Sequence, residues 1–180
     1  MDMMRFLITA TAASALAFSA SAAQAQVGRS GYTLPMSLAM EEAAEAVRTC
    51  ESNGYAVSAS VLDISGVVKL QAKGDHSTIH TRDSSFRKAY TVVTLGPIFH
   101  FDRSSAFAEI AAKNPAGQAI ASLPNILPLA GGVAIKAGEE IVAALGVGGA
   151  PGGDKDEACA RAGVAKIQNR VTDAAQKRAG

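Results

Sequence analysis

The chain has 180 residues, of which 48% are hydrophobic and 18% are charged. This composition is typical of one globular domain with a full core, and it excludes intrinsic disorder. Seventeen Lys and Arg against 16 Asp and Glu leave a net charge of +1, which argues against binding of nucleic acid through its phosphates. Aromatic residues make up only 5% and Trp is absent, so few rings are present to stack on bases or line a sugar cleft.

Residues 1–25 have the three parts of a secretory signal peptide. Arg5 supplies the charge, residues 6–20 form an apolar run, and residues 23–25 read Ala-Gln-Ala, an A-x-A cleavage pattern. The alternative, a membrane anchor, is disfavoured because the run is short and rich in Ala, Ser and Thr. No later segment approaches the ~20 consecutive apolar residues of a membrane span. We therefore expect an exported protein, periplasmic or secreted, with no membrane span in the mature chain.

Export affects how the two cysteines, Cys50 and Cys159, are interpreted. In an oxidising compartment they are candidates for one disulfide, whereas in the cytosol both would be buried thiols. A bridge between them would close a loop of 109 residues. In the chain-entropy model such a loop contributes about 4–5 kcal/mol to stability. The sequence alone leaves the bridged and the free state open.

The first half of the chain alternates between helical and strand patterns, after a predicted flexible arm over residues 26–33. Apolar residues at helical spacing predict a helix over residues 35–53. Two runs over residues 55–62 and 67–72 predict a β-hairpin, since the turn between them contains Asp63 and Gly66. A second helix is predicted from about residue 77 to residue 94, where Gly-Pro follows shortly after.

The second half repeats the pattern in the order helix, hairpin, helix. Asp102 is predicted to cap a helix that runs to about Lys113. Strands are predicted at residues 133–135 and 141–147, and a last helix begins at Asp154 after a glycine-rich connector. Residues 126–129 are a candidate fifth strand. Together these elements predict one α+β domain over residues 34–180, with an antiparallel sheet of about five strands and helices packed on it.

The histidines are the candidate ligands, and there are three: His76, His80 and His100. His76 and His80 are four residues apart, so on the predicted helix they share one face. There they would hold a divalent ion, or give one imidazole to a haem iron and the other to a propionate. A zinc-protease motif is excluded because Ser77 stands where HExxH requires Glu. The alternative is that all three are solvated surface residues.

Three cations, Arg82, Arg87 and Lys88, follow the histidines on the same predicted helix. Guanidinium and ammonium groups bind carboxylates through charge-assisted hydrogen bonds, so they suit the propionates of haem. The alternative is an ordinary exposed charged face. Residues 148–153 resemble a backbone anion nest before a helix, but acidic residues follow immediately and would repel phosphate. We interpret this segment as a structural connector.

Four segments carry a family resemblance: residues 55–66 (YAVSASVLDISG), 84–91 (SSFRKAYT), 127–135 (LPLAGGVAI) and 141–163 (IVAALGVGGAPGGDKDEACARAG). In this order they resemble the GlcG/HbpS family of haem-binding and haem-degrading proteins. The resemblance implies an antiparallel sheet with helices on both sides, assembled as a homo-oligomer, often an octamer. It also implies haem as the cofactor. Axial ligation varies in this family, so our candidate ligands rest on the chemistry of this sequence.

We therefore expect an exported haem-binding protein in which a histidine ligates the iron and apolar residues cover the porphyrin. Haem degradation with iron release, or redox sensing, is an open extension of this function. Two alternatives belong to other classes: a non-catalytic oligomeric accessory protein for a corrinoid or a partner enzyme, and a metal-binding module built on His76 and His80. Without Trp, the cover must come largely from Phe86, Phe99 and Phe101, from aliphatic residues, or from a neighbouring subunit.

Overall fold

A computed structural model describes Gly28 and residues 30–179, so the predicted signal peptide over residues 1–25 lies outside the described residues. In chain order the elements are α1 (Met36–Ser52), β1 (Ser58–Asp63), β2 (Val68–Lys73), α2 (His80–Phe99), α3 (Ser104–Lys113), α4 (Gly117–Ala121), β3 (Gly132–Ala137), β4 (Glu140–Gly148) and α5 (Gly153–Ala179). Within this part of the chain, no helix combines the length and the apolar character needed to cross a membrane.

The described strands form one antiparallel sheet in the order β2-β1-β4-β3. β1 lies between β2 and β4, so that Val61 is opposite both Leu70 and Leu145. β3 pairs with β4 as a second hairpin. Helices α1 and α5 pack on one face of the sheet, and α2 packs on the other. The α+β class and the antiparallel sheet between helices are confirmed, with four strands in place of about five.

Residues 126–129, the candidate fifth strand, form a loop. Their backbone groups bond to side chains of α2 and, at Leu129, of α3 rather than to a strand. The Arg87 guanidinium donates to the carbonyl of Ile126 at 2.8 Å, and the N–H of Leu127 donates to Oγ1 of Thr91 at 2.8 Å. A buried backbone group needs only one hydrogen-bond partner, so the backbone of this segment is hydrogen-bonded beside the helix without joining the sheet.

Strand residues alternate between the two faces of the sheet, as the period of a β-strand requires. The face toward α1 and α5 is apolar. Val61 and Leu145 on this face and Ile167 of α5 are fully buried in the same cluster. A disulfide between Cys50 and Cys159 joins α1 to α5, with 5.6 Å between the two Cα atoms. The side chains that enter this cluster from the N-terminal segment are those of Tyr32 and Leu34. The last part of the predicted flexible arm is therefore packed against the core.

The part of the sheet that packs against the N-terminal half of α2 has small and hydroxyl-bearing residues. A Cβ on Gly146 would overlap the backbone of α2 at Ser85, so the helix lies almost directly on the sheet. Ser60 shares a hydrogen bond with Ser85 at 2.7 Å, and Ser58 shares one with Thr81 at 2.8 Å. Hydroxyl pairs thus replace apolar contacts where helix and sheet are closest.

The predicted limits of the second helix are wrong at both ends. It begins at His80 because Ser77 is held in a preceding turn, where its hydroxyl donates to the carbonyl of Gly74 at 2.9 Å. It continues through Pro97 to Phe99. Proline in the last turn removes a single intrahelical hydrogen bond, so it does not end the helix.

The predicted capping role of Asp102 is also wrong, because α3 begins at Ser104 with Arg103 as its N-cap residue. The Asp102 carboxylate pairs with Arg103 at 3.3 Å. The backbone carbonyl of Asp102 accepts the N–H of Ala134 at 2.8 Å, which ties the loop between α2 and α3 to the outer edge of β3.

Candidate functional site

The six nominated binding residues lie along and around α2. His76 precedes the helix, while His80, Arg82, Arg87 and Lys88 lie within it and His100 directly follows it. The helix has 20 residues, which corresponds to a length of about 30 Å. His80 and His100 are therefore at opposite ends and cannot ligate one iron atom within one chain.

His76 lies in an exposed turn with a left-handed backbone, φ 62°. The expectation that His76 and His80 share a helix face is wrong, because the helix begins only at His80. The His76 side chain lines a shallow cleft of about 430 Å³ together with Glu51 and Asp75. Among the described residues, no three His, Cys, Asp or Glu side chains are grouped to hold a metal ion.

His80 has one ring nitrogen engaged and the other exposed. Its Nδ1 is hydrogen-bonded to Oγ1 of Thr78 at 2.9 Å, and the residue is exposed to solvent. When Nδ1 carries the proton and donates to Thr78, Nε2 keeps its lone pair for a metal. A hydrogen bond from the second ring nitrogen is the usual device that fixes the orientation of a ligating histidine.

Arg87 lies seven residues after His80, which places both on one stripe of the helix at a separation of about 10 Å. The Arg87 guanidinium is half-buried and uses Nη2 to donate to Ile126, so its other nitrogens remain for a ligand. Arg82 is exposed and forms an ion pair with the neighbouring Asp83 at 3.4 Å. Both guanidiniums reach solvent near the N-terminal half of α2.

The next stripe round the same helix is apolar. Ile79, just before the helix, is 70% exposed. Phe86 and Tyr90 follow at positions i+7 and i+11, with their ring centroids 5.6 Å apart. The N-terminal half of α2 thus presents the His80 imidazole, the Arg87 guanidinium and an apolar strip on its outer side, while Arg82 lies about 200° round the helix from His80.

Lys88, in contrast, is only 1% exposed. Its Nζ donates to Oδ2 of Asp156 at 2.6 Å and to the carbonyl of Val147 at 3.1 Å. Asp156 also accepts the backbone N–H groups of Gly149 and Ala150. Burial raises the pKa of the Asp156 carboxyl, and the Lys88 ammonium opposes that rise. The pair links α2, β4 and α5, so the Lys88 ammonium is enclosed while Arg82 and Arg87 are accessible.

The Asp156 carboxylate therefore fills the anion nest that the sequence suggested at residues 148–153. No sequence pattern pairs Asp156 with Lys88, since the two are 68 residues apart. A signal is nevertheless present, because an acidic residue in the first turn of α5 follows a glycine-rich segment whose backbone N–H groups a carboxylate can accept.

The opposite end of α2 opens into a cleft of about 560 Å³. Its apolar lining includes Pro97, Phe101 and Ile141. Its charged lining consists of Asp102, Lys136, Glu139 and Glu140, and His100 stands at its edge. Sequence reasoning singled out only His100 here, because the acidic residues of the β3–β4 turn have the ordinary composition of a turn.

The described residues form an α+β fold. Its four-stranded antiparallel sheet has a helix pair on one face and the histidine-bearing helix α2 on the other. The family model described as "Haem degrading protein HbpS-like" matches residues 34–165. The chain therefore belongs to the HbpS-like family. No curated protein matches the sequence.

Solved structures agree with this family. A crystal structure of HbpS has 34% sequence identity and a TM-score of 0.69, over 76% of this chain and 91% of that chain. A double mutant of HbpS from Streptomyces reticuli has 33% identity and a TM-score of 0.69, over 88% of this chain and 99% of that chain. The PduOC:Heme complex, at 16% identity and a TM-score of 0.67 over 76% of this chain and 96% of that chain, shares the fold.

Proposed function

We propose that this chain is an exported haem-binding protein that ligates the haem iron through Nε2 of His80. Membership of a family described by haem degradation supports haem as the cofactor. A protein of the same fold has been crystallised with haem, which supports a fold able to hold it. The observation that carries the choice of ligand is the hydrogen bond between His80 Nδ1 and Thr78 Oγ1 on an exposed residue, because with the proton on Nδ1 the lone pair of Nε2 is available to a metal.

The electrostatics of α2 favour its N-terminal end over its C-terminal end. The propionates of haem are negative, and a helix N-terminus attracts negative charge while a C-terminus repels it. Arg87, one stripe along the helix from His80, adds a positive charge there, whereas the charge of Arg82 is paired with Asp83 at 3.4 Å. At the other end, three carboxylates line the cleft next to His100 and would repel propionates. His80 therefore suits haem better than His100 does.

Haem on this surface would have one face against Ile79, Phe86 and Tyr90, and the other face open. A second copy of the chain would cover the open face with apolar residues, as expected of a homo-oligomer. Haem degradation with iron release would in addition need oxygen with access to the iron and an electron donor from outside the protein.

Titration of the apo protein with haemin, followed by the Soret band, tests the proposal. We expect saturable binding, weakened at least about tenfold in His80→Ala because the iron loses its protein ligand. The matched controls are His76→Ala and His100→Ala, which we expect to bind haem as the wild type does. Loss of binding in His100→Ala with full binding in His80→Ala would overturn the choice of ligand.

Absence of any Soret shift at micromolar haemin would overturn haem binding itself, and a parallel titration with cobalamin then examines the corrinoid alternative. If haem binds, ascorbate added under air distinguishes storage from degradation, because degradation bleaches the Soret band and releases iron. Export is tested by expressing the full chain, recovering the exported protein and sequencing its N-terminus, which we expect to be Gln26.

A further inference from the structure

We infer that the cleft at the C-terminal end of α2 is a second ligand site, which binds an organic cation: a protonated amine or amidinium carried on a small apolar body. The cleft volume of about 560 Å³ lies within the range of small-molecule sites. This inference does not rest on haem binding, since its residues are about a helix length away from His80.

The floor of the cleft is a preformed apolar surface. Gly96 brings the end of α2 directly onto it, since a Cβ there would lie 2.7 Å from the carbonyl oxygen of Phe101 and 2.8 Å from Cδ1 of Ile141. Phe101 and Ile141 are 7% and 8% exposed, so both are fixed in the core with one edge toward the cleft. Pro97 stiffens the rim because its ring restricts the backbone.

The charge of the lining is negative. Asp102, Glu139 and Glu140 supply three carboxylates, and Lys136 supplies the single ammonium group. That ammonium pairs with Glu139 at 3.4 Å, and Arg103 pairs with Asp102 at 3.3 Å, so Glu140 is the lining carboxylate without a cationic partner among the described residues. The last carbonyls of α2 add the partial negative charge of a helix C-terminus. The lining therefore repels an anion and attracts a cation.

Glu140 provides an observation independent of the charge count. Its Oε2 accepts the N–H of Ser30 at 2.8 Å, whereas its Oε1 is enclosed and accepts no hydrogen bond from the described residues. An enclosed carboxylate oxygen without a donor is unfavourable. A small rotation of this side chain toward the cleft would let Oε1 accept from an ammonium or amidinium N–H, which forms paired bonds with carboxylates.

The test compares three ligands of one shape and different charge: benzamidine, benzamide and benzoate. Each is titrated into the apo protein by calorimetry and by two-dimensional NMR. We expect saturable binding of benzamidine, at least tenfold tighter than benzamide, no binding of benzoate, and weaker binding as salt is added. NMR shifts should centre on residues 96–102 and 136–141.

Variants locate the binding. We expect Glu140→Gln and Glu139→Gln each to weaken benzamidine binding severalfold, and the two together at least tenfold. Glu109→Gln on α3 is the matched control, because Glu109 is exposed and pairs only with Lys113 at 3.9 Å. Circular dichroism spectra and melting temperatures confirm that each variant is folded.

Several outcomes would overturn the inference: equal binding of benzamide and benzamidine, stronger binding of benzoate, or full binding by the double variant. A competition with haemin separates this inference from the proposed function. Simultaneous binding of haemin and benzamidine is expected. Displacement of benzamidine by haemin would show that the two sites are not separate and would place the haem at His100. If haemin does not bind at all, the proposed function fails and the cation site is unaffected.

Discussion

The two faces of the sheet differ in chemistry. The face under α1 and α5 is almost wholly apolar and is cross-linked by the disulfide between Cys50 and Cys159. The face under α2 contains hydroxyl pairs, a buried Lys88–Asp156 ion pair and, at the two ends of the helix, both candidate ligand sites. Both faces carry a buried apolar cluster, and the second face also accommodates charged and ligand-binding groups along α2.

The largest effect should come from removing the disulfide. The double variant Cys50→Ser, Cys159→Ser frees a loop of 109 residues, and we expect the free energy of unfolding to fall by about 4–5 kcal/mol in denaturant titrations. At a temperature where the variant remains folded, its affinity for haem should match that of the wild type. A clear drop in haem affinity there would show that the two faces do not act separately.

The next largest effect should come from Lys88 on the α2 face. Lys88→Met leaves the Asp156 carboxylate buried without its cation, and breaking a buried pair in this way costs about 3–5 kcal/mol. Adding Asp156→Asn removes the remaining charge and keeps an oxygen for the N–H of Ala150. Denaturant titration should therefore find the double variant more stable than Lys88→Met. If it is less stable, the ion pair is not the reason for the loss.

Sequence patterns predicted the elements of the fold well and their contacts poorly. The helix of α1 and both hairpins follow from periodicity and from turn residues such as Asp63 and Gly66, which act locally. The start of α2 depended on a bond from Ser77 to the carbonyl of Gly74, and the loop at residues 126–129 depended on side chains of α2. The bond of Ser77 spans only three residues and is a local turn feature that helical periodicity does not register, whereas Arg87 and Ile126 are 39 residues apart and no local pattern pairs them.

The candidate sites show the same limit. Spacing and residue chemistry singled out His80 and the arginines of α2 as candidate ligands, and the family resemblance supplied haem as the cofactor. The burial of Lys88 and the acidic lining beside His100 were not predictable from sequence. Each depends on which side chains meet in space: Asp156 reaches Lys88 across the sheet edge, and Glu140 reaches the cleft only because β4 begins beside the end of α2.

A moderate effect should come from Thr78, whose hydroxyl orients the His80 ring. Thr78→Val keeps the shape of the side chain and removes the bond to Nδ1. Loss of such a supporting bond typically weakens metal ligation about tenfold, or ~1.4 kcal/mol. Haemin titration measures it. Thr94→Val is the matched control, because Thr94 bonds only to the Tyr90 carbonyl of its own helix. Equal haem affinity in Thr78→Val and wild type would contradict the role of the Thr78 bond and leave only the electrostatic argument for His80.

The smallest effect concerns Glu42 on α1, a polar exception on the apolar face. The residue is fully buried and neither carboxyl oxygen has a hydrogen-bond partner among the described residues. Burial raises the pKa of this carboxyl well above its ordinary value of 4.5. The folded state therefore keeps a proton that the unfolded chain loses, so the stability that Glu42 contributes is complete below pH 4.5 and falls as pH rises toward the folded pKa.

Glu42→Gln removes this proton linkage while keeping the size of the side chain. We expect the wild type to lose about 1 kcal/mol relative to the variant between pH 4.5 and pH 5.5, from the proton bound only by the folded state. Denaturant titrations of both proteins at a series of pH values measure the difference, in which all other titrating groups cancel. A constant difference across this range would mean that Glu42 is ionised in the fold and that the apolar face tolerates a buried charge, which would remove the clearest contrast between the two faces.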